Sequence, residues 1–109
     1  MTRAKNHPGQ ILKAELEARG LTANQLALAL RVPANRITAI LRGERSVSAE
    51  TAVRLGRYMG TGAVLWMNLQ AAYDVSVVEA RQGAAIDREV LPASAASSKS
   101  RLAGANRRA

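Results

Sequence analysis

Four side chains set close together, Asn35, Arg36, Thr38 and Ala39, have the clearest chemical use in this sequence. An asparagine amide can pair bidentately with adenine, an arginine fork with guanine, and a threonine hydroxyl or methyl with a base edge, while alanine permits close approach. Gathered at the start of one helix, they form a candidate surface for contacting DNA bases; on an isolated helix the same residues would be only a solvated face. Their surroundings decide between the two. Arg42 and Arg45 flank Gly43 just downstream, and the N–H groups of Ala23 and Asn24 open the preceding helix, where the helix dipole attracts phosphate. From Arg31 to Arg57, six arginines face only Glu44 and Glu50. The whole chain carries a net charge of +8 and a pI near 11.3, which favours an anionic partner, nucleic acid before membrane.

Other chemistries find little support. The single histidine, His7, lies in a polar N-terminal stretch and is expected to be exposed and inert. Asp74 and Glu79 are five residues apart on one helix, project to different sides and make no carboxylate pair. There is no cysteine, and Gly60 and Gly62 lack the spacing of a phosphate loop. No catalytic residue, metal or cofactor is therefore expected, and the chain is read as a non-enzyme. No apolar run has membrane-spanning length and MTRAKNHPGQ has no signal-peptide core, so the expected location is the bacterial cytoplasm, with no membrane partner. Lys13 and Arg54 read as surface charge alone.

The elements that must hold the four side chains follow from caps and periodicity. Pro8 and Gly9 start a first helix with Leu12 and Leu16 on its stripe, and Gly20 ends it. Thr22 and Gln25 form a capping box for a second helix reaching about Leu30, with Leu26, Ala27 and Leu30 inward. Pro33 interrupts, and a third helix spans Ala34 to Leu41 with Ile37, Ile40 and Leu41 inward. Ser48 caps a fourth, whose inward side is Ala52, Leu55, Tyr58 and Met59, with Gly60 as its stop. A fifth runs from Ala63 to about Arg81. No strand alternation occurs before Gly83, so the fold class is all-α, five helices with a helix-turn-helix at 22–43.

The fifth helix carries two apolar stripes. Trp66, Leu69, Tyr73 and Val77 form one; Val64, Met67, Ala71, Val75 and Val78 form the other. A helix on a small domain needs one such face for its core, so the second implies a partner, most simply another copy of the chain. The aromatic stripe, Trp66, Leu69, Tyr73 and Val77, is the expected dimer interface, and which of the two stripes faces the partner stays open. Residues 1–82 are read as the DNA-binding and dimerisation domain. Residues 83–109 are read as an extension, with a short ordered piece over 85–91 and a basic, flexible, low-complexity tail.

The runs HPGQIL (7–12), VPANRITAILRGER (32–45), SAETAVRLGRYMGT (48–61) and LWMNLQAAYDV (65–75) resemble the HigA-type antitoxins, the virulence-associated protein I group within the Cro and lambda-repressor-like helix-turn-helix class. The resemblance covers residues 7–81. It implies a compact five-helix homodimer that binds palindromic double-stranded operator DNA in its own promoter and silences a RelE-like toxin, a ribosome-dependent mRNA endonuclease. By position it puts Asn35, Arg36, Thr38 and Ala39 on the base-reading surface and Ala23 and Asn24 on the phosphate end of the second helix. Trp66, Asn68, Leu69 and Tyr73 fall on the signature helix. The chain departs from the pattern at Arg31, where a glycine is usual and a less left-handed turn is expected, and at Pro33, which replaces a capping Ser or Thr. Two other readings stay open: a solitary regulator without a toxin, and a protein-sequestering module with a vestigial DNA face.

Overall fold

Five helices follow one another, with no strand among the described residues, 5–93 of the computed structural model. They are α1 Pro8–Arg19, α2 Ala23–Leu30, α3 Ala34–Leu41, α4 Ala49–Met59 and α5 Ala63–Glu89. Each helix contributes to one core: Leu12 and Leu16 from α1, Leu26, Ala27 and Leu30 from α2, Ile37 and Ile40 from α3, Ala52, Leu55 and Met59 from α4, and Trp66 from α5. Val47, in the loop before α4, closes it. Full burial of a Leu or Ile side chain is worth about 1.5–3 kcal/mol, so this shared core is what fixes α3 on the body of the domain.

The helix ends form as their residues dictate. Thr22 and Gln25 make both halves of the capping box, Gln25 N–H donating to Thr22 Oγ1 at 3.1 Å and Thr22 N–H to Gln25 Oε1 at 2.9 Å. Ser48 accepts from Thr51 N–H at 3.3 Å. Glu50 lies in the first turn of α4, where the helix dipole favours an acid. Gly9 sits so close to the Ile40 carbonyl that any Cβ there would overlap it, and this is how the start of α1 seats on the end of α3.

Three expectations change. α5 does not stop at Arg81 but runs unbroken through Gly83 to Glu89, so the expected division at 82/83 falls inside a helix and the 85–91 piece is largely its last turns. Gln82, Ala84, Ala85, Arg88 and Glu89 are good helix formers and outweigh the roughly 1 kcal/mol cost of one glycine. The helix ends at Glu89, with Val90 extended at φ −113° and ψ 103°, and Pro92 disfavours helical backbone at Leu91 just beyond. Tyr58, expected inward, is exposed. His7, expected exposed, is buried: its Nδ1 accepts from Gly9 N–H at 2.9 Å as the cap of α1, and its ring meets Tyr73 edge-on at 4.9 Å. The low-complexity tail lies outside the described residues.

Candidate nucleic-acid interface

α2 and α3 are joined by the three residues Arg31, Val32 and Pro33. The turn closes with Arg31 N–H on the Leu28 carbonyl at 3.2 Å and Val32 N–H on the Ala27 carbonyl at 3.0 Å, the paired bonds of a Schellman end. Such an end needs a left-handed residue, and Arg31 takes that conformation with φ 61° and ψ 45°. The expectation of a less left-handed turn is thus corrected: the two closing bonds and the packing of α2 on α3 impose the geometry on an unfavourable residue. Pro33 starts α3 with no side-chain cap, as its type requires.

On α3, Ile37 and Ile40 turn to the core. Stepping about 100° per residue, the opposite side of the helix centres on Asn35 and Arg42, with Thr38 and Ala39 beside them. Asn35 and Arg42 are exposed, whereas Thr38 and Ala39 are half-buried. The Thr38 hydroxyl donates back to the Ala34 and Asn35 carbonyls at 3.4 and 3.3 Å. Arg36 does not join this face. It lies a further 100° or so round the helix from Asn35, its side chain is only 23% exposed, and its Nη1 donates to Glu50 Oε1 of α4 at 3.1 Å.

The backbone-contact candidates are open. The N–H groups of Ala23 and Asn24 have no acceptor among the described residues, and no acid lies in the first turn of α2. Arg42 and Arg45 are exposed and form no ion pair among the described residues. Arg54 is more than surface charge: its Nη1 donates to the Leu30 carbonyl at 3.1 Å, capping the end of α2.

Several residues that hold this face in place escape sequence reading. Buried Gln70 of α5 accepts the Val47 N–H at 2.7 Å and donates to Asp74 Oδ1 at 2.9 Å, which fastens the loop after α3 to the long helix. Trp66 Nε1 donates to Thr61 Oγ1 at 2.9 Å, fixing the entry of α5. Ser76 accepts from Lys5 N–H at 2.8 Å, and His7 anchors α1. The hints were an amide between two apolar stripes and a histidine directly before Pro-Gly.

α5 does present two apolar faces, and packing distinguishes their roles. The aromatic stripe turns inward: Trp66 is 1% exposed, and Leu69, Tyr73 and Val77 are partly buried against the same body. Trp66 therefore serves its own core and is not a surface group. The outward row is Val64, Ala71, Val75 and Val78, with Val64 69% and Val75 56% exposed.

A bracing helix, a tight turn and a second helix with an exposed polar start define a helix-turn-helix fold. The family profile described as helix-turn-helix matches residues 12–66. Virulence-associated protein I of Dichelobacter nodosus is 49% identical over 74 residues, which cover 67% of this chain and 68% of that protein. Among solved structures, an addiction module antidote protein of the HigA family from Coxiella burnetii superposes with a TM-score of 0.80 at 46% identity, covering 84% of this chain and 100% of that one. The Pseudomonas aeruginosa antitoxin HigA, solved with the higBA promoter, gives a TM-score of 0.77 at 42% identity over 80% and 96% of the two chains. The chain belongs to the helix-turn-helix family, in its HigA and virulence-associated protein I branch.

Proposed function

We propose that this chain is the antitoxin of a type II toxin–antitoxin pair, which binds the operator of its own gene as a dimer and neutralises a RelE-like mRNA endonuclease. The observation that carries the DNA half is the open face of α3 centred on Asn35 and Arg42, set beside the uncapped N–H groups of Ala23 and Asn24. A relative with the same fold, 42% identical, was solved with promoter DNA. In this reading Asn35 pairs with a base edge, Thr38 and Ala39 contact a thymine methyl or its neighbour, and Arg36, turned to Glu50, stands outside that face. Ala23, Asn24, Arg42 and Arg45 hold phosphates, fixing register without reading sequence. The outward row of α5 supports the dimer, which places two recognition helices on a palindrome.

The toxin half rests on family membership and on the apolar surface left uncovered, including Leu28 at 77% exposure. Because this chain is itself basic, its contact with a basic toxin would rest on apolar and hydrogen-bonded groups. Two experiments test the reading. In a mobility shift with the DNA directly upstream of the gene, wild type shifts the fragment and Asn35→Ala shifts it more weakly; no shift with wild type refutes operator binding. Co-expression with the neighbouring short reading frame should relieve its toxicity and co-purify the two proteins. Operator binding without any such toxin leaves a solitary regulator.

A further inference from the structure

Glu50 occupies the second position of α4 and takes one arginine on each oxygen. Its Oε1 accepts from Arg36 Nη1 at 3.1 Å, and its Oε2 lies 3.5 Å from Arg54 Nη2. Arg54 then reaches on to the carbonyl of Leu30, the last residue of α2, at 3.1 Å. One carboxylate thus connects the reading helix, α4 and the end of the bracing helix. The Glu50 side chain is 63% exposed, and pairs so open to solvent add little to stability. Their effect is directional. Arg36 Nε is buried with no hydrogen-bond partner and the side chain is only 23% exposed, so this arginine is held against the domain with its Nη1 on Glu50.

We propose that Glu50 makes Arg36 a positioning residue of the recognition helix and not a reader of bases, an inference that rests on the DNA-binding reading above. The Arg36–Glu50–Arg54 clamp sets the angle of α3 against α2 and α4, and it keeps a cation away from indiscriminate phosphate contact. Base discrimination then falls to Asn35, Thr38 and Ala39. The clamp and a simple charge effect predict different outcomes for one substitution, the charge effect leaving preference for the operator unchanged. Glu50→Gln raises the net charge by one, so charge alone would strengthen binding to every DNA. Loss of the clamp instead lowers preference for the operator.

The experiment measures binding of the full chain to the operator, to a scrambled duplex of equal composition and to operators with single base-pair changes. For Glu50→Gln the expected result is a fall of about tenfold in preference for operator over scrambled DNA, with scrambled binding retained. Arg36→Lys, which keeps a cation for the carboxylate but lacks the planar fork that matches guanine, is expected to keep the wild-type base profile. An unchanged or higher preference in Glu50→Gln overturns the proposal, as does loss of preference at a single G·C pair in Arg36→Lys. If wild type binds no operator, the DNA reading itself fails, and hydrogen exchange still judges the clamp. Glu50→Gln should then speed exchange of the α3 amides, and unchanged α3 exchange would overturn it.

Discussion

At the scale of single residues, the turn between α2 and α3 stores a measurable cost. Arg31 is the one non-glycine residue with positive φ among the described residues. A left-handed conformation costs an L-residue about 1–2 kcal/mol. Arg31→Gly should therefore stabilise the fold by about 1 kcal/mol and raise the unfolding midpoint by several degrees in calorimetry; a lower midpoint would mean that the arginine side chain contributes packing or charge that outweighs the strain. Gly9→Ala should act in the other direction, because its Cβ collides with the Ile40 carbonyl, and a loss of about 1–3 kcal/mol in chemical denaturation is expected. Residue type alone reveals the reading face only in part. Asn35 stands open as its position implies, but polarity alone groups Arg36 with it. The partner of Arg36, Glu50, lies 14 positions away on another helix, and no local pattern announces that pairing.

At the scale of elements, caps and stops are the most legible part of the chain. Thr22 with Gln25, Ser48, Gly20 and Gly60 set boundaries that depend on neighbouring residues only, so local chemistry suffices. The end of α5 is less legible, because Gly83 reads as a stop although nothing local enforces one before Pro92. The two stripes of α5 are visible as periodicity. Which one faces the core depends on tertiary packing around Trp66, and that packing turns the expected interface inward. The outward row now carries the prediction for the proposed dimer: wild type should sediment as a dimer, and Val75→Asp together with Val78→Asp should shift it to monomer while its helical content stays constant. A dimer that survives both changes would place the interface elsewhere. Within α5, Gln70→Ala removes the acceptor of a buried N–H at Val47 and should cost about 1–3 kcal/mol.

At the scale of the whole molecule, the charge of +8 gives any DNA complex a steep salt dependence. Arg42→Ala should weaken binding to all sequences alike and reduce the salt slope by about one, the share of a single neutralised phosphate. The C-terminal cations Arg101, Arg107 and Arg108 lie outside the described residues, and the proposal that they add non-specific attraction to DNA carries its own test. Removing everything after Pro92 should lower affinity for scrambled DNA more than preference for the operator. No helix among the described residues is long and apolar enough to cross a membrane.

The most direct test of the central claim is an anisotropy titration of the chain against its own upstream DNA and a scrambled duplex of equal composition, at one stated salt concentration. A preference for the upstream DNA that Asn35→Ala reduces, by the roughly 1–3 kcal/mol of one bidentate base pairing, is the predicted result. Equal affinity for both duplexes, or a preference indifferent to Asn35, would contradict it.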